Sequence, residues 1–165
     1  FEEGEAAMKH RDTPTLQIIY SIMEQQPARD FFPIAEQAKT GLLTRVPHAS
    51  GLLDGTYTRD TVFESTDHRS HRRQEWLSLG LQKLEALEFL TRQVSGSIGQ
   101  TAIKFALSGS QVASVLPNIT NQEQLQEFAA TSEAEDIPPD LIDRAHELFN
   151  ENFGLPLVEE SLGTD

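Results

Sequence analysis

Three short stretches of the sequence carry residue types from which a binding site could be built. In Val115-Leu116-Pro117-Asn118-Ile119-Thr120-Asn121-Gln122-Glu123-Gln124-Leu125, an apolar run passes directly into helix-start signals, so a strand's carboxyl end and a helix N-terminus converge. Asn121 can cap that helix with Gln124 reaching back, or Thr120 can do so with Glu123. Either arrangement aims backbone N–H groups at the positive end of a helix dipole, which suits an anion. An ordinary capped helix has the same spacing, and no lysine or arginine lies between Val112 and Phe128 to fix a phosphate charge. In Arg45-Val46-Pro47-His48-Ala49-Ser50-Gly51-Leu52-Leu53, small residues after a strand let backbone approach a ligand, and Ser50 offers a hydroxyl. Arg45 stands near a strand's carboxyl end, where α/β proteins place their sites, although a tight turn with a surface arginine fits equally well. The third stretch is Asp67-His68-Arg69-Ser70-His71-Arg72-Arg73. Two histidines three apart beside a carboxylate imitate a metal spacing, but three arginines oppose a cation, so it reads as a solvated or phosphate-facing basic loop and no metal ligand is assigned. His48 is the other histidine near a candidate site; His10 and His146 read as helix-surface residues. There is no nucleophile elbow, phosphate-binding glycine loop or GxGxxG.

Composition narrows the classes of function. The chain has 165 residues, 13 basic and 26 acidic side chains, a formal charge of −13 and no cysteine. The acidity disfavours a nucleic-acid partner, since such recognition depends on basic side chains meeting phosphates. The absence of cysteine excludes disulfides and thiolate chemistry and leaves a cytoplasmic setting as the expectation. No apolar run approaches the roughly 20 residues of a membrane span, and no membrane partner is expected. Residues 121–165 hold 12 acids and one base, Arg144, whereas residues 1–120 hold 14 acids and 12 bases. The charge excess reads as the solvated outer face of late helices.

The elements that must position these stretches alternate. Phe1 to Arg11 has the pattern of a helix, broken by Asp12, Thr13 and Pro14. Leu16–Tyr20 predicts a strand, Pro27 the first residue of a helix that Gly41 ends, and Leu42–Val46 a second strand. A long polar connection with a turn at Asp54-Gly55 follows. Leu77, Leu81, Leu84, Leu87, Leu90 and Val94 predict one long amphipathic helix over 74–94. Ser97 can cap a helix through Ile98, Ala102, Phe105 and Ala106, closed by Gly109. Val112–Leu116 predicts a third strand, Asn121–Ala130 a short helix, and Pro138-Pro139 opens a last one through Phe149. Strand–helix alternation implies α/β architecture with a parallel sheet. Three such strands leave both edges open, so the pattern reads as part of something larger, as does a start at Phe1.

In this order the segments resemble the aldo/keto reductase family. Gln17-Ile18-Ile19-Tyr20 is similar to its sixth barrel strand, and Pro47 through Gly55 to the Pro-Leu-x-x-Gly-x-Leu-x-Gly segment after the seventh. Ile98 through Leu107 resembles the seventh barrel helix. Val115-Leu116-Pro117-Asn118 through Gln124 and Glu127 resembles the eighth strand and the cofactor-binding helix. The resemblance implies a (β/α)₈ TIM barrel of roughly 250 residues, of which this chain supplies the C-terminal portion, about three βα units over 1–153, with a tail at 154–165.

The family reduces aldehydes or ketones with NADP(H), and the resemblance implies that cofactor here, with NAD possible because the basic residue that grips the 2′-phosphate is missing. By the same resemblance Gln17 would bind the nicotinamide carboxamide, Arg45 would stand where an aromatic residue usually faces the ring, and Pro47, Ala49, Ser50 and Gly51 would wrap the pyrophosphate. Asn118, Thr120, Gln124 and Glu127 would hold the adenosine end, and some of Arg69, Arg72 and Arg73 would reach the phosphates. The 56–73 connection and the tail after Phe153 would border the pocket for a small carbonyl substrate. His48 replaces the family's usual leucine, and Phe128 its usual asparagine. The Asp, Tyr, Lys and His tetrad belongs to the barrel's first half, so no catalytic residue is assigned, and Tyr20 and Tyr57 fall in other segments. A non-catalytic redox-sensing subunit and a half-barrel that dimerises over its open edges are the alternatives.

Overall fold

Strands β1 (Thr15–Ile19), β2 (Gly41–Arg45) and β3 (Val112–Leu116) form one parallel sheet in the order β1-β2-β3. The computed structural model describes residues 1–10, 13–72 and 74–156, the side chain of Gln74 aside. Arg11, Asp12, Arg73 and most of the predicted tail therefore lie outside the described residues. Helix α1 (Glu2–His10) precedes β1, and α2 (Ala28–Ala38) connects β1 to β2. Between β2 and β3 run α3 (Gln74–Ala86), α4 (Glu88–Gln93) and α5 (Ile98–Leu107); α6 (Gln122–Ala129) and α7 (Pro139–Asn150) follow β3. The strands and their alternation with helices are as the sequence predicts, each strand within a residue of its expected bounds.

Strand alternation divides the sheet into two unlike faces. Ile18, Leu42 and Thr44 are buried; Ile18 and Leu42 join a cluster with Phe31 and Ala35 of α2 and Ala102, Phe105 and Ala106 of α5. Tyr20, just past β1 and fully buried, sets its ring 5.2 Å from Phe32 and 5.4 Å from Phe105, joining the two crossover helices. Burying each such large side chain contributes about 2 kcal/mol. On the other face the register aligns Gln17 with Leu43 and Ser114, and Ile19 with Arg45 and Leu116. Ile19 and Leu116 remain 37% and 42% exposed there.

Four local details differ from the sequence reading. Gly41 does not end α2: Lys39 takes the left-handed cap (φ 55°), its N–H on Ala35 O, while Gly41 opens β2. Pro27 is the cap of α2 and not its first helical residue. The 74–94 helix is broken at Leu87, whose N–H turns to Leu84 O at 3.1 Å, and the reset in phase keeps Leu87 and Leu90 both fully buried. Ser108 caps α5 in place of Gly109, whose missing Cβ leaves room for the Phe32 ring. Ser97 caps α5 as expected, its Oγ accepting from Gln100 N while Gln100 Oε1 accepts from Ser97 N.

Candidate functional site

Beyond β2 the backbone makes an abrupt turn. Val46, Ala49 and Ser50 have φ of 59°, 48° and 58°, and Gly51 has φ of 97°. Left-handed backbone is costly for residues with a Cβ, most of all for β-branched Val46, and is held only where surrounding structure over-determines it. Gly51 serves both conformation and space, since a Cβ would come within 2.7 Å of Tyr57 Cζ. Two arginines from the 67–72 segment fasten the turn from outside. Arg69 Nη1 donates to Ser50 O at 3.4 Å and to the Tyr57 hydroxyl, and Arg72 Nη2 donates to Ser50 Oγ at 3.1 Å. Arg69 is itself held by Asp67, with contacts of 2.5 and 2.8 Å, and these hydrogen bonds keep the Asp67 carboxyl well below the usual carboxylate range.

A cavity of about 390 Å³ opens between this turn and the carboxyl ends of β2 and β3. Of the expected site residues it brings together Arg45, Pro47, Ser50, Gly51 and Asn118. His48, Asp54, His68 and Arg69 also line it, so the wall carries two guanidinium groups and two imidazoles against one carboxylate. His68 and Arg69 thus bring the basic 67–72 segment to this cavity.

The remaining expected residues lie elsewhere. Ala49, within the turn, is buried and does not line the cavity. Gln17 sits on the open sheet face, on the far strand from β3, and does not line the cavity. Gln124 Oε1 accepts from Thr120 N and Thr120 Oγ1 at 2.9 Å, while Asn121 Oδ1 accepts from Gln124 N at 2.8 Å, so the Asn121–Gln124 alternative caps α6. Glu127 accepts from Ser97 Oγ, and its backbone carbonyl accepts from Gln100 Nε2 at 2.9 Å, which pins α6 to the start of α5.

His48 is buried at the junction of these parts. Its ring stacks on Phe128 with centroids 4.3 Å apart, Nε2 lies 3.1 Å from Gly99 O, and Nδ1 lies 3.4 Å from Asp54 Oδ1. Two of the positions where the sequence departs from the family it resembles, His48 and Phe128, therefore touch one another. His146 is not the surface residue its helix pattern predicts: it is half-buried, with Nδ1 2.7 Å from Oε1 of fully buried Gln25.

The sequence model of the aldo/keto reductase family matches residues 4–149. A probable voltage-gated potassium channel subunit beta of Arabidopsis thaliana is 27% identical over 103 residues, which cover 59% of this chain and 31% of that protein. A rice protein of the same description (Oryza sativa subsp. japonica) matches to the same extent. Among solved structures, a glycerol dehydrogenase of Gluconobacter oxydans superposes with a TM-score of 0.71 at 18% identity, covering 88% of this chain and 45% of that one. The holo form of an aldo-keto reductase of Bacillus halodurans gives 0.63 at 20% identity, covering 87% and 45%. The chain thus spans less than half the length of the relatives it matches.

Proposed function

The chain belongs to the aldo/keto reductase family, and we propose that it forms the cofactor-binding part, residues 1–153, of an oxidoreductase that reduces aldehydes or ketones to alcohols. The observation that carries this reading is the cationic cavity at the carboxyl ends of β2 and β3, closed by a turn in strained backbone. Its donor set fits a dinucleotide: Arg69 supplies fixed positive charge for the pyrophosphate, and the 47–51 turn brings backbone close to the site. In this role Arg45 lays its guanidinium against the nicotinamide ring, Gln17 meets the carboxamide, Pro47, Ala49, Ser50 and Gly51 enclose the phosphates, and Asn118, Thr120, Gln124 and Glu127 border the adenosine. Arg69 and Arg72 hold the enclosing turn, whatever further contact they make with phosphate.

The cofactor, when bound, supplies a hydride. NADP(H) is the proposed cofactor, with NAD(H) as the alternative because the loop from Pro117 to Gln124 has no cation to meet a 2′-phosphate. The Asp, Tyr, Lys and His set of the family has no counterpart in these segments, so the reading assigns this chain binding and orientation, not proton transfer. Trp76, the sole tryptophan, stacks under Arg72, with Cζ 4.5 Å from the ring centroid, and so reports on the turn. Titration with NADPH and with NADH, followed by Trp76 fluorescence, is expected to show saturable binding without carbonyl reduction by this chain alone. Failure of both cofactors to bind would refute the reading, and their relative affinities decide between them.

The likeness to the two plant channel subunits favours a second reading, a cofactor-binding redox-sensing subunit. An intact protein that binds NADPH tightly yet leaves it unoxidised when carbonyl compounds are added would support that reading over the reductase.

A further inference from the structure

The imidazole of His48 faces two oxygens at once. Nε2 lies 3.1 Å from Gly99 O, which can only accept, and Nδ1 lies 3.4 Å from Asp54 Oδ1. That carboxylate oxygen is shut off from solvent and has no hydrogen-bond partner among the described residues. A neutral imidazole has one N–H and one lone pair. Whichever nitrogen carries the hydrogen, the other lone pair confronts either the Gly99 carbonyl or ionised Asp54. A second proton on the ring satisfies both oxygens.

From this geometry we infer that His48 takes up a proton when a phosphate-bearing ligand enters the cavity, making it a positioning residue that couples occupancy to pH. The inference rests on the cofactor-binding reading and names a regulation of that site. Both ring nitrogens face these protein oxygens, so His48 acts on the ligand through its charge and through Asp54, three residues past the turn.

The balance of charges around the ring makes the coupling possible. Burial, including the stack on Phe128, pushes the His48 pKa down, while Asp54 of its own loop, the Gly99 carbonyl and Glu127 of α6 pull it back up. Burial raises the Asp54 carboxyl, against the pull of His48 and Arg69. Of the two guanidinium groups on the same wall, Arg69 is paired with Asp67, whereas Arg45 faces the cavity from β2. An anion between them adds negative potential beside a ring whose pKa burial holds below its ordinary value, and so favours the proton that burial resists. The proton comes from solvent and forms the second N–H bond of the ring; no other bond changes.

Calorimetric titration of the intact protein with NADPH, in two buffers of unlike ionisation enthalpy, counts protons taken up on binding. A second arm with inorganic pyrophosphate separates the response to phosphate from that to the whole cofactor. The expected result is uptake of a fraction of one proton, with affinity rising as pH falls from 8 to 6, by at most about tenfold per pH unit. In the wild type, ¹⁵N resonances of His48 should move toward imidazolium on binding, a readout that needs no variant. His48→Gln should bind with that uptake removed, and His68→Gln should retain it. Binding with an unchanged His48 spectrum, or uptake that survives in His48→Gln, would overturn the inference while leaving cofactor binding intact. Absence of binding at every pH would remove the cofactor reading and this inference together.

Discussion

His146 shows how far a residue's surroundings can outweigh the pattern of its helix. Gln25 is fully buried, its Nε2 donating to Ile22 O at 3.0 Å and to Ala145 O at 3.4 Å, so its Oε1 needs a donor. His146 Nδ1 supplies one at 2.7 Å, which fixes that nitrogen as protonated. Burial, joined by the positive charge of Arg29, lowers the His146 pKa below its ordinary value near 6.5. Below that value the unfolded chain binds a proton that the folded chain resists, so stability falls as pH drops from about 6.5 toward the folded pKa. Urea midpoints at pH 7.5 and pH 5.5 test this. The drop between them should be smaller in His146→Gln, where the amide still donates to Gln25 but does not titrate; an equal drop would contradict the assignment. No local signal could have revealed this contact, because Gln25 and His146 are 121 residues apart and each looks like an ordinary polar residue in its own segment.

At the scale of elements, what could be read from sequence was what local physics decides. The short apolar and β-branched runs read as strands at 16–20, 42–46 and 112–116, Ser97 as the cap of α5, and Asn121 with Gln124 as one of two possible caps of α6 all depend on neighbours within a few residues, and each forms within a residue of its expected place. The turn after β2 was legible as a run of small residues, but not the left-handed backbone of Val46, Ala49 and Ser50, which local preference opposes and contacts from elsewhere hold in place. One such contact comes from α3. A Cβ on Gly80 would lie 2.5 and 2.6 Å from the Leu52 methyl carbons, so buried Leu52 would have to give way into the cavity of about 190 Å³ that it and Gly80 line. Within a helix, Gly→Ala normally gains up to about 1 kcal/mol, whereas forcing an extra carbon into a packed contact costs about 1–3 kcal/mol. The clash should win, leaving Gly80→Ala about 1 kcal/mol less stable in urea and weaker in NADPH binding, because Leu52 belongs to the enclosing turn. Ser78→Ala, on the exposed side of α3, should be neutral or slightly stabilising. A stabilised Gly80→Ala would show that the turn can yield without cost.

For the whole molecule, the decisive fact is that one sheet face has cover and the other has none among the described residues. Gln17, Ile19, Leu43, Arg45, Ser114 and Leu116 share the uncovered face, and β1 and β3 are both edges of a three-stranded sheet. A closed barrel removes such edges and packs such a face with side chains from its other strands. The chain spans 45% of the length of each of the two enzymes whose fold it shares, so the missing cover is about the size of the missing strands. Isolated at 165 residues, the chain should therefore satisfy its edges and its exposed Ile19 and Leu116 with a second copy, the half-barrel arrangement weighed from the sequence. Sedimentation velocity across a hundredfold range of concentration should show a monomer giving way to a dimer. The formal charge of −13 limits further growth by mutual repulsion. Replacing Ile19 and Leu116 together by glutamate should shift the equilibrium toward monomer while leaving the helix-covered face, and hence the circular dichroism, unchanged. A wild-type chain that stays monomeric throughout would mean that the open face is tolerated in water, and the dimerising reading would fail. Cofactor titration of the same samples separates the two remaining cases: binding that strengthens on dimerisation means the second copy completes the site that the open face begins, and binding independent of concentration means the cavity under the 46–51 turn is sufficient alone.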